Sequence, residues 1–98
     1  MKKIDIQTIR KAARVLRVIG HPDRLRIVEA LEKSSRSVKE LMKDLNLSQV
    51  SVSKHLAALK KNRIVQSEAV SNFRHYSITY RNAIHILNCL RSHGGNTR

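Results

Sequence analysis

Between Ser37 and Lys61 the chain carries two short segments of helical periodicity, parted only by Asn46-Leu47-Ser48. A joint this short makes the two helices turn sharply across one another. Ser37-Val38-Lys39-Glu40 has the spacing of a capping box, in which each polar side chain satisfies a free N–H of the first turn. Val38, Leu41, Met42 and Leu45 then form one apolar stripe. Asn46 tolerates a left-handed turn and Ser48 suits the N-cap of the next helix, which runs from about 48 to 61. Successive residues of a helix are rotated by roughly 100°. Val52, Leu56 and Leu59 therefore share an inward face. Val50, Ser53, Lys54, Ala57 and Lys61 lie opposite, with Gln49 at the leading edge.

The flanking sequence completes a small domain. Ile6, Ile9, Ala13, Leu16 and Ile19 recur every three or four residues, which predicts an amphipathic helix stopped by Gly20. Pro22 suits the first turn of a second helix that buries Leu25, Val28 and Leu31. After Asn62, which ends the fourth helix, the period changes. Residues 64–68 and 73–78 read as strands around the turn signal Ser71-Asn72, so a hairpin is expected over about 64–78. A last helix from about Tyr80 to Ser92 packs Ala83, Ile84, Leu87 and Leu90. The expected fold is mostly α with a β-hairpin, in the order α-α-α-α-β-β-α. Residues 1–93 form the domain and 94–98 a disordered tail.

Charge narrows the partner. The sequence has 98 residues, a formal charge of +13, and no acid after residue 50 except Glu68. Such a field attracts a polyanion, since each neutralised phosphate releases counterions. Basic membrane-surface and ribosomal proteins share this composition. Aromatics are only 3% of the sequence, too few for base-stacking platforms, so a duplex suits the chain better than a single strand. No apolar run is long enough to span a bilayer. The start, Met1-Lys2-Lys3, runs into Asp5 and Gln7 rather than a signal-peptide core. A cytoplasmic protein is expected. With Cys89 the sole cysteine, neither an internal disulfide nor a CxxC knuckle can form.

Two helices joined by a tight turn and followed by a basic hairpin make a winged helix-turn-helix. The fourth helix is short-chained at its N-terminal end and free of acids, so it can lie close to base pairs. Gln49 offers a bidentate pair to adenine, Val50 an apolar contact to a thymine methyl, and Ser51, Ser53 and Lys54 reach for bases or phosphate. Arg74 is the expected wing contact, with Ser71, Asn72 and His75 near the backbone or minor groove. His55, beside the core, reads as structural. Two other readings stay open: an architectural, nucleoid-type DNA protein with weak sequence preference, and a winged helix that binds a protein partner. No GxGxxG or P-loop appears and acids are scarce, so no enzyme and no cofactor is expected.

Residues 18–27, Val-Ile-Gly-His-Pro-Asp-Arg-Leu-Arg-Ile, resemble the start of the second helix in ArsR/SmtB-type repressors. Residues 47–56, Leu-Ser-Gln-Val-Ser-Val-Ser-Lys-His-Leu, with Leu59-Lys60, resemble their recognition helix, and Tyr76-Ser77-Ile78 the end of their wing. The resemblance implies a homodimer through the first and last helices, reading a palindromic operator in double-stranded DNA. It also implies repression relieved by an effector, metal or small molecule. It places base-reading residues at Gln49, Val50, Val52, Ser53 and Lys54; helical geometry assigns Val52 to the core.

The chain departs from the family at the metal sites. Residues 40–45, Glu-Leu-Met-Lys-Asp-Leu, replace the cysteine motif of the third helix, removing its soft ligands. The zinc-site positions of the last helix hold Tyr80, Asn82 and Asn96, with only His93 matching. His85, Cys89 and His93 share a face, but span about 12 Å along the axis, so at most a pair serves one ion. Arg63 stands where the family usually has Gly, which assigns the strained turn to Asn62.

Overall fold

A computed structural model describes residues 2–93. Helix α1 spans Ile6–Ile19, α2 Pro22–Lys33, α3 Val38–Leu45, α4 Gln49–Lys61 and α5 Asn82–His93; strands β1 (Arg36–Ser37), β2 (Val65–Val70) and β3 (Phe73–Ile78) complete the set. The expected tail, 94–98, lies outside the described residues.

Local chemistry sets most of the boundaries. Asp5 caps α1 through Thr8 N–H at 2.8 Å. At its other end a Cβ on Gly20 would stand 2.9 Å from the Leu16 carbonyl oxygen. Pro22 opens α2 with no N–H to lose. The capping box of α3 is complete: Glu40 N–H donates to Ser37 Oγ, and Ser37 N–H to Glu40 Oε1 at 2.9 Å. Asn46 takes the left-handed conformation, φ 55°, and Ser48 caps α4 by accepting from Ser51 N–H at 3.1 Å.

Asn62 caps α4, but its φ is −96°. Arg63 takes the left-handed turn instead, φ 61°. Arg63 N–H bonds the Lys60 carbonyl at 3.0 Å and Ile64 N–H bonds that of Leu59 at 2.9 Å. This is a Schellman pair, which puts the left-handed residue one place beyond the cap. Asn62 holds the Ala58 carbonyl through its side chain at 2.8 Å. The expectation for Asn62 is thus corrected to Arg63.

The hairpin pairs Val65 with Ile78 through to Val70 with Phe73. Ser71 has φ 57° at the first loop position, as the twist of a two-residue hairpin favours. A third strand was absent from the sequence reading. Arg36 and Ser37 pair with Tyr76 and His75, giving an antiparallel sheet in the order β1-β3-β2. Two residues carry no periodicity, so only the pairing reveals them.

The core joins Ile19 of α1, Ile27, Val28 and Leu31 of α2, Leu41 of α3, Val52, Leu56 and Leu59 of α4, and Ile64, Val65 and Ile78 around the sheet. Leu25 and Ile84 are only partly buried against it. Helix α5 starts at Asn82 rather than Tyr80, whose N–H bonds the Ile64 carbonyl at 3.2 Å. Leu90, expected to pack, is 50% exposed, and on α1 Ile6, Ile9 and Leu16 are similarly open. The outer faces of the first and last helices are apolar but unburied within one chain.

Candidate nucleic-acid interface

The two faces of α4 separate cleanly. Val52, His55, Leu56 and Leu59 are buried. Gln49, Val50, Ser53 and Lys54 are exposed together at the N-terminal half, Val50 by 78%, and no other segment of the described chain covers them. Ser51 is half-buried at the cap. Hydrophobic burial alone does not explain why Val50 faces water.

On the wing, Arg74 is exposed and its guanidinium donates to Ser67 Oγ at 3.0 Å. Lys60, at the end of α4, donates its ammonium to the same hydroxyl at 3.0 Å. Two cations are thus drawn to the seam between recognition helix and wing. Four of the acids lie elsewhere and are paired, Asp23 with Arg26, Asp44 with Arg36, and Glu29 and Glu32 with Arg91; Glu68 is the acid on the wing itself, exposed on β2 opposite His75. Such surface pairs add little stability, but they leave the uncompensated positive charge to other surfaces.

Behind α4, His55 Nδ1 accepts from Arg24 Nε at 3.2 Å, and the same guanidinium donates to the Val18 carbonyl at 3.0 Å. His21, the N-cap of α2, has its ring centroid 4.5 Å from that of His55. His21, Asp23 and His55 have ligand-type atoms within 4.8 Å of one another. Their bonding argues against a metal centre. Asp23 N–H donates to His21 Nδ1 as Arg24 does to His55 Nδ1, so each ring so bonded carries its proton on Nε2, which is then a donor rather than a lone pair. On α5, His85 and Cys89 are both exposed; the side chain of His93 lies outside the described residues.

One element of this surface was missed by the sequence reading. The β1–β3 pairing sets the start of α3 beside the wing, where Lys39 and Met42 share a groove of about 390 Å³ with Gln49, Phe73 and Arg74. Phe73 is 58% exposed. No local pattern announces this grouping.

A family model described as "Bacterial regulatory protein, arsR family" matches residues 21–67. Among solved structures, HlyU from Vibrio cholerae superposes with a TM-score of 0.82 at 26% identity, over 90% of this chain and 96% of that one. The transcriptional repressor BigR from Xylella fastidiosa gives 0.82 at 27% identity, over 88% of each chain. NolR from Sinorhizobium fredii gives 0.79 at 26% identity, over 94% and 95%. No curated protein matches the chain. The fold and its relatives define a winged helix-turn-helix, DNA-binding transcriptional regulator. Within that class, residues 21–67, which hold its helix-turn-helix, are similar to the arsR family of bacterial regulatory proteins.

Proposed function

We propose that the chain is a sequence-specific repressor that binds double-stranded DNA as a homodimer. In this reading α4 lies in the major groove, where Gln49, Val50, Ser53 and Lys54 face the bases and Ser51 adjoins the backbone. Arg74 sets the wing against phosphate or the minor groove. The observation that carries the reading is the exposed, acid-free N-terminal half of α4. The open apolar residues Ile6, Ile9 and Leu16 of α1 and Leu90 of α5 support pairing of two copies through the first and last helices. Residues 1–93 would then form one unit for DNA binding and dimerisation. No helix among the described residues is long and apolar enough to cross a membrane, which accords with a cytoplasmic regulator. Nothing in this surface calls for catalysis, and the chain acts by binding.

Selection of bound duplexes from a random pool tests the proposal. The expected result is a pseudo-palindrome with half-sites about 34 Å apart, the spacing that twofold-related helices require. Preference for that site over random DNA should exceed about a thousandfold at physiological salt. Even binding to all sequences would instead support the architectural reading that the +13 charge leaves open.

A further inference from the structure

We infer that the groove between the start of α3 and the wing holds one sugar-phosphate strand of the DNA, with Lys39 gripping a phosphate and Phe73 packing on the adjoining deoxyribose. This rests on the docking mode proposed above. When a recognition helix occupies the major groove and a wing the neighbouring minor groove, the strand that separates the two grooves must pass between them.

Here that passage has defined walls. Gln49, the first residue of α4, stands on one side, and Arg74 behind the wing tip on the other. Lys39 enters from α3, and its placement is not left to a loop. Ser37 is at once the N-cap of α3 and the β1 partner of His75, so sheet pairing and helix capping together fix Lys39 two residues further on. The rest of the lining is Asn72 at the wing turn and an apolar floor from Val38, Met42 and Phe73.

A polyanionic strand built of charged phosphates and apolar sugar faces matches cations set above an apolar floor. It also accounts for an aromatic ring left 58% exposed on a small wing. Glu40, which lines the adjoining groove with Lys39, Phe73 and His75, has its carboxylate turned onto Ser37 N–H at 2.9 Å. It is committed to the cap.

The test compares the full-length protein with Lys39→Ala, Lys39→Arg and Phe73→Ala on the selected operator, on a random duplex, and on operators carrying one neutral methylphosphonate at each position in turn. Both substituted residues lie on the surface, so matched thermal melting verifies folding. Lys39→Ala should weaken operator and random duplex alike by about eightfold at 0.1 M salt, one counterion's worth. It should also lower the slope of log affinity against log salt by about one. Lys39→Arg should restore both. The loss should vanish on the operator whose neutralised phosphate lies between the helix and wing contacts. Phe73→Ala should weaken binding with the salt slope unchanged, since a sugar contact releases no counterion.

Wild-type affinity for Lys39→Ala at every salt concentration would overturn the inference, as would a loss equal on all the methylphosphonate duplexes. Unchanged affinity for Phe73→Ala would remove the sugar contact. The two proposals fail separately. If the wild-type protein does not distinguish operator from random DNA, the repressor reading falls while the Lys39 phosphate contact is still measured on the random duplex. If Gln49→Ala alters base preference but Lys39→Ala is silent, only the groove assignment falls.

Discussion

Arg24 donates through Nε to the buried Nδ1 of His55 at 3.2 Å, joining residues 31 positions apart in the sequence. Because the same guanidinium also holds the Val18 carbonyl, one side chain ties the end of α1 and the start of α2 to the underside of the recognition helix. The bond requires His55 to be neutral.

Burial, then the neighbouring His21 and Arg24, lower the His55 pKa below the ordinary histidine value. The unfolded chain therefore takes up this proton at a higher pH than the folded chain, and protonation favours unfolding. Stability should be complete above the ordinary value of about 6.5 and fall as the pH drops through the lowered folded value. Urea unfolding across this range measures the slope, and His55→Gln should flatten it. A slope that survives the substitution would assign the titration to another group.

Arg63→Gly should stabilise the protein by up to about 1 kcal/mol, because glycine removes the left-handed strain at φ 61° while losing more freedom on folding. The urea midpoint should rise with no change in the m-value. A lower midpoint would mean that the Arg63 side chain contributes more than its backbone costs.

Leu16→Glu places a charge in the open apolar face of α1, where Leu16 is 54% exposed. Sedimentation should then find monomers, and operator affinity should collapse because each half-site is bound alone. The fold itself should persist, since Leu16 is outside the buried core. A dimer that withstands this change would move the interface elsewhere.

Gln49→Ala should weaken operator binding by about 1–3 kcal/mol and relax preference at one base pair. Competition with single-base operator variants reads both effects. A uniform loss across all variants would make Gln49 a backbone contact.

What neighbours along the chain decide is legible in the residues alone. The two faces of α4 follow from helical rotation, and the caps at Ser37, Asn46 and Ser48 follow from side chains that reach only a few residues. Those interactions are local, so spacing alone reveals them. The remaining features depend on segments meeting across the fold. Ser37 pairs with His75 to set Lys39 beside Phe73, and Arg24 reaches His55. Leu90 of α5 and Ile6, Ile9 and Leu16 of α1, apolar by pattern, face outward, while Ile19 at the end of α1 joins the interior filled by α2, α4 and the sheet. Arg63 rather than Asn62 turns left-handed because the chain must reverse one residue beyond the cap to deliver Ile64 to the core. A periodic pattern marks a residue as able to be buried. Which surface buries it is fixed by the geometry of distant partners.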